Sequence, residues 1–142
     1  MIVDEITIRQ GTNQDHQTLV ELLESHQMTS EINPCEFFVA TLSGKLVGAA
    51  RIEKDKEDIF LRPLVVDSAY HGKGVGKALV SNLIFHHHNL HVVARGSAIG
   101  FYQRIGFEVT PWELIPECYR QECEQCPDIA WCQPSPMKFI ER

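Results

Sequence analysis

A mixed α/β fold, one sheet with helices on both faces, is the architecture this 142-residue chain predicts. Three observations carry the prediction. Apolar β-rich runs alternate with amphipathic segments in the order βαβββαβαβ. One run, Leu64-Val65-Val66-Asp67, leads through a short polar turn into a loop with glycine at 72, 74 and 76, and a helix pattern starts at once. Composition is that of an ordinary globular chain, 44% hydrophobic and 23% charged. The length suits one domain, residues 1–142, with a cysteine-containing tail at 115–142.

The elements follow in order. Residues 3–9 predict a strand with Val3, Ile6 and Ile8 as apolar positions. Thr12 and Asp15 resemble a capping pair for a helix from about Gln14 to His26, with Leu19, Val20, Leu22 and Leu23 inward. Cys35 to Leu42 is β-rich, Ser43-Gly44-Lys45 turns, and Leu46 to Glu53 returns. Lys54 to Asp58 is a charged, solvated turn before a strand from Ile59 to Val66. After the glycine loop, Val75, Ala78, Leu79 and Leu83 line one helix face. Leu90 to Ala94 predicts a strand, Ala98 to Ile105 a short helix, and Phe107 to Leu114 further strand.

A strand, a glycine loop and a helix N-terminus in that order make a receptor for phosphate. Glycines let the backbone approach the ligand and turn its N–H groups inward, and the helix dipole adds partial positive charge. A turn without a ligand would not need three glycines flanked by Lys73 and Lys77. Spacing excludes two nucleotide loops. A mononucleotide loop needs Ser or Thr after Gly-Lys, but Ala78 follows Gly76-Lys77, and His71 stands where its first glycine belongs. A dinucleotide loop needs Gly-x-Gly-x-x-Gly, and the last position is Lys77 or Leu79.

The segment His71-Gly72-Lys73-Gly74-Val75-Gly76 resembles the pyrophosphate loop of the GNAT superfamily of acyl-CoA-dependent N-acetyltransferases, Arg/Gln-x-x-Gly-x-Gly/Ala. His71 departs from the usual first residue, a mild departure because such a loop binds chiefly through main-chain N–H groups. A second block, Leu90-His91-Val92-Val93-Ala94-Arg95 followed by Phe101-Tyr102-Gln103-Arg104-Ile105-Gly106-Phe107, resembles the superfamily's strand and Phe-Tyr helix. The resemblance covers nearly the whole chain. It implies a mostly antiparallel sheet in which the strands ending near Val66 and starting near Leu90 are parallel and splay apart around an acetyl-pantetheine arm.

Acetyl transfer needs an unprotonated amine, a polarised carbonyl and an acid near the departing sulfur. The resemblance implies acetyl-CoA as co-substrate, held by His71, Gly72, Lys73, Gly74, Val75, Gly76 and Lys77. It gives the main chain of Leu64, Val65 and Val66 to the pantetheine arm and thioester carbonyl, and makes Tyr102 the proton donor to the thiolate. Tyr102 also reads as a core aromatic, since it shares a helix face with Ala98 and Ile105. The base stays open between a side chain such as Glu57 or Asp58 and an ordered water. His86-His87-His88 with His91 has the composition of a metal cluster, but consecutive helical residues diverge, so a solvated helix end is the reading and no metal is assigned.

Arg62 and Arg95 follow or precede the two strand ends and suit a substrate carboxylate, which a guanidinium fork binds through both oxygens; surface ion pairs are the plain alternative. In the tail, Cys118, Cys123, Cys126 and Cys132 could hold structural zinc, with buried reduced thiols the preferred reading. The tail also resembles that of short GNAT-type N-acetylglutamate synthases. The net charge of −6 argues against nucleic acid. No apolar run has membrane-span length and residues 1–5 lack a signal pattern, so a cytoplasmic location without a membrane partner is expected. The expected function is acetylation of a small primary amine, with an amino acid as one class, and a homodimer is compatible with it. The rivals are a protein or peptide N-acetyltransferase and a non-catalytic CoA-binding sensor or interaction module.

Overall fold

A computed structural model describes residues 5–26, 32–87 and 89–140. Its strands are β1 (Ile6–Gln10), β2 (Phe37–Leu42), β3 (Lys45–Asp55), β4 (Asp58–Val66), β5 (Leu90–Ala94), β6 (Phe107–Val109) and β7 (Ser135–Phe139). The helices are α1 (His16–Ser25), α2 (Val75–His86), α3 (Ile99–Ile105), α4 (Glu117–Glu124) and α5 (Ile129–Cys132). The strands form one seven-stranded sheet in the order β1-β2-β3-β4-β5-β7-β6. The ladders β1–β2, β2–β3, β5–β7 and β6–β7 are antiparallel, and β4–β5 is parallel. This is the mixed, mostly antiparallel architecture that the sequence predicts. The chain divides into two compact units, residues 1–52 with 62–86, and residues 53–61 with 87–142.

In the first unit, alternation along β3 explains the placement of both helices. Ala49 shares a buried cluster with Val39 and Phe37 of β2, Val65 of β4, and Leu19, Leu22 and Leu23 of α1. Gly48 points the other way, toward Val75 and Leu79 of α2. Successive strand residues face opposite sides, so α1 covers one face and α2 the other. Val80 joins Val75, Leu79 and Leu83 among the buried residues of α2, while Ala78 is half-buried. At the start of α1, Asp15 accepts the Thr12 N–H at 2.8 Å and two bonds from Arg9 at 2.8 and 2.9 Å, so the expected capping pair is present. The Arg9 guanidinium holds the buried Asp15 carboxyl down at about 2. The predicted first strand begins at residue 3, and Val3 lies outside the described residues.

The second unit starts with the hairpin turn of β3 and β4 at Lys56-Glu57. Phe60 of β4 stacks on His91 of β5, with ring centroids 5.0 Å apart, and Tyr119 of α4 meets Phe60 edge-on at 5.1 Å. The Tyr119 hydroxyl donates to Glu53 at 2.8 Å, which fastens α4 to the end of β3. On α3 and beyond, Tyr102, Phe107 and Phe139 form a chain of edge-to-face rings at 5.2 and 5.6 Å.

Three expectations are corrected here. The strand predicted from Phe107 to Leu114 ends at Val109; Pro111 then supplies no N–H, and Trp112–Leu114 wind into a 3-10 turn. The tail, for which the sequence predicts no strand, contributes β7, inserted between β5 and β6. His91 lies in β5 as the predicted strand Leu90 to Ala94 requires, but it is buried, 3% exposed, and not solvated with the histidines at the helix end.

Candidate active site

The first unit holds Arg62, Leu64, Val65, Val66 and the whole loop from His71 to Lys77; the second holds Arg95 and Tyr102. Each set is built locally. At the end of β4, the Asp67 N–H donates to the Val47 carbonyl of β3 at 2.8 Å. The Asp67 carboxylate then accepts the Ala69 N–H at 2.9 Å and caps a 3-10 turn over Ser68–Tyr70. These bonds fix where the chain leaves the sheet, and so where the glycine loop begins.

Gly72 and Gly74 adopt φ of +79° and +85°, a region costly for residues with a Cβ. A Cβ added at either would meet no atom within 4 Å, so the loop borders open space on those sides. The first helical bond at this end of α2 runs from the Ala78 N–H to the Gly74 carbonyl at 3.0 Å. The N–H groups of Val75, Gly76 and Lys77 precede it and are the donors that a helix leaves for a cap or an anion. Lys73 and Lys77 are exposed beside them. The Lys45 ammonium lies 5.1 Å from the Tyr70 ring centroid, so Tyr70 packs under a further cation near the loop. The backbone conformation, the open sides and the free N–H donors fit a diphosphate.

The loop reaches its helix because β3 has a glycine beneath it. A Cβ on Gly48 would lie 2.8 Å from Val75 Cγ1, 3.1 Å from Leu79 Cδ1 and 3.2 Å from the Val65 carbonyl oxygen. Sequence reasoning passed over Gly48, although a lone glycine inside a strand pattern is a signal for close approach.

His71 is exposed, and its ring reaches back to the strand end that precedes it. Its Nε2 lies 3.1 Å from the Val66 carbonyl oxygen. An oxygen of that kind only accepts, so Nε2 carries the hydrogen and donates. Val65 is buried, while Leu64 and Val66 are half-buried. The β4–β5 ladder sets Ile59 opposite Leu90 and Phe60 opposite His91. Arg62 is half-buried, and its carbonyl accepts the Arg51 Nε–H at 3.1 Å.

In the second unit, Tyr102 is 5% exposed and sits between Phe101 and Phe107, at 5.0 and 5.2 Å. Burial raises its phenol pKa, so the hydroxyl stays protonated and keeps its O–H as a donor. Arg95 is exposed at the entry to the 3-10 turn Gly96–Ala98. Gly96 packs against the tail backbone, its absent Cβ 2.6 Å from the Cys132 carbonyl oxygen. All five cysteines are thiols, but the burial expected of the tail cysteines is not found: Cys118 is exposed, like Cys35, and Cys123, Cys126 and Cys132 are half-buried. Among the described residues no group of three or more His, Cys, Asp or Glu is arranged to hold a metal, and no helix is long and apolar enough to cross a membrane.

A seven-stranded mixed sheet whose fourth strand feeds an open glycine loop and a helix N-terminus defines an α/β protein of mixed sheet. Residues 33–109 match the family described as the acetyltransferase (GNAT) domain, and the chain belongs to that family. It is 36% identical over 73 residues to GCN5-related N-acetyltransferase 2, chloroplastic, of Arabidopsis thaliana, which covers 47% of this chain and 28% of that protein. Its fold is similar to N-acetylglutamate synthase from Neisseria gonorrhoeae, solved with coenzyme A and N-acetyl-glutamate (TM-score 0.74, 18% identity, 97% of this chain and 36% of that one). It is also similar to Rv2747 from Mycobacterium tuberculosis, solved in complex with CoA (TM-score 0.70, 21% identity, 96% and 99%). The chain thus spans about a third of the gonococcal synthase and less of the plant relative.

Proposed function

We propose that this chain transfers the acetyl group of acetyl-CoA to a primary amine on a small molecule, with amino acids as the leading acceptor class. The observation that supports it most directly is the loop at 72–77. Its positive-φ glycines and first-turn N–H groups suit the pyrophosphate of CoA, and the strand before it ends in the segment that would serve the pantetheine arm.

In this reading Gly72 to Lys77 bind the diphosphate, with Lys73 and Lys77 adding charge. Main-chain groups of Leu64, Val65 and Val66 bond the pantetheine arm and polarise the thioester carbonyl. The neutral amine attacks that carbonyl carbon, the C–S bond breaks, and the Tyr102 hydroxyl gives its proton to the thiolate. The proton lost by the amine passes to a water, since Glu57 and Asp58 lie at the opposite end of β4 from Val66, and Tyr102 is reprotonated from solvent. Arg62 and Arg95 read an acceptor carboxylate. The tail at 115–142, which resembles that of short N-acetylglutamate synthases, makes glutamate the first acceptor to try. Five thiols suit a reducing compartment such as the cytoplasm.

The test is thiol release from acetyl-CoA across a panel of amino acids, polyamines and peptides. Turnover confined to amines that carry a carboxylate supports the reading. Turnover with peptides alone would favour a protein N-acetyltransferase, and tight CoA binding without turnover on any class would favour a sensor.

A further inference from the structure

We propose that His71 is a positioning residue that braces the pyrophosphate loop against the end of β4 and does not bind phosphate. The proposal rests on the acetyl-CoA reading above and deepens it. Four observations lead to it. The ring nitrogen Nε2 of His71 donates to the Val66 carbonyl at 3.1 Å. The His71 main chain is tied as well, its N–H 3.4 Å from the Ser68 carbonyl. The connection between is held by the Tyr70 N–H to the Asp67 carbonyl at 2.8 Å and by the Asp67 cap on Ala69. The next residue, Gly72, opens the loop at φ +79°. The histidine therefore closes a ring of hydrogen bonds just where the backbone turns into the loop.

Chemistry sets the assignment. The Nε2 hydrogen is directed at the Val66 carbonyl, and an imidazole carrying its one hydrogen there presents Nδ1 as an acceptor, which repels a phosphate oxygen. A donor used on Val66 is not available to a ligand. The same fact accounts for histidine at a position where the family signature carries Arg or Gln. All three side chains end in an N–H that can reach back to a strand-end carbonyl, although they differ in charge and shape. What the position requires is the donor.

The contribution is preorganisation. A loop free to move around Gly72 loses conformational entropy when it closes on a diphosphate, and a brace spends that entropy at folding. One solvent-exposed neutral hydrogen bond makes the expected effect modest, about 3- to 10-fold in affinity.

The experiment is isothermal titration calorimetry with CoA itself, at a pH where histidine is neutral, on the wild type and on His71→Ala, His71→Gln and His71→Arg, with Tm recorded for each. Expected are about 3- to 10-fold weaker CoA binding for His71→Ala, and near wild-type affinity for both His71→Gln and His71→Arg. Wild-type affinity in His71→Ala overturns the brace. So does tighter binding in His71→Arg with no recovery in His71→Gln, which would mark a direct ionic contact. If His71→Ala also lowers Tm, His71→Gln decides: recovery of Tm without recovery of affinity overturns the proposal, and recovery of both supports it. Failure of the wild type to bind CoA would instead overturn the acetyl-CoA reading.

Discussion

Replacing Gly48 by alanine tests whether the loop and its helix depend on the strand below them. The new Cβ would stand 2.8 Å from Val75 Cγ1, where carbon atoms prefer about 3.5–4.0 Å, so about 1 Å must be found. Val75 is 1% exposed and β-branched, with one strongly preferred helical rotamer, so its methyl has no place to swing. Leu79, 3.1 Å away and fully buried, blocks a tilt in the other direction. The sheet and α2 must therefore separate, and Val75 carries the end of the glycine loop with it. Overpacking of this kind costs about 1–3 kcal/mol. For a domain of this length that lowers Tm by roughly 3–12 °C. Displaced N–H donors should also weaken CoA binding by about 10-fold, some 1.4 kcal/mol. Thermal melts and calorimetry with CoA measure both. The double variant Gly48→Ala/Val75→Ala removes the clashing methyl, and should be less destabilised than the sum of the single changes. An unchanged Tm and CoA affinity in Gly48→Ala, or strict additivity in the double variant, would refute the packing argument.

Three further outcomes are expected. Gly74→Asp puts a Cβ at φ +85° and a carboxylate beside the anion site, so CoA affinity measured by calorimetry should fall about 100-fold or more. Tyr102→Phe keeps the ring packing and removes the O–H; kcat should fall about 100-fold while the dissociation constant for CoA holds, and an unchanged kcat would remove Tyr102 as the acid. His91 is held neutral by burial, against the opposing pull of Asp58, with Lys138 adding to the lowering. The unfolded chain thus takes up a proton that the folded one resists, so stability is intact above the ordinary value of 6.5 and falls as pH drops below it. Melting curves between pH 7 and pH 5 should be flatter for His91→Phe than for the wild type, and parallel curves would refute this.

Much of the fold was legible because its signals are local. The strand at Leu90–Ala94 matches its predicted bounds, and the helix after the glycine loop begins at Val75, where the spacing of loop and apolar face places it. The elements that were missed depend on partners distant in sequence. β7 contains Pro136, which reads as a strand breaker, yet Met137 is fully buried and Lys138 pairs with His91 on one side and Glu108 on the other. Its two neighbours, β5 and β6, supply the burial and the ladder that its own sequence does not advertise. The strand holding His91 was predicted, but its burial was not, because that depends on Phe60 and Lys138, which are distant in sequence.

By itself, the sequence determined the order of elements as far as β6, the glycine loop and the family, because periodicity, glycine spacing and the Phe-Tyr block are written within a few consecutive residues. The tertiary structure decided what those residues face. It turned the His71 ring back onto Val66, set Gly48 under Val75, and sealed Tyr102 among phenylalanines. These are contacts between strands, loops and helices, and packing across such distances depends on where the whole chain comes to rest.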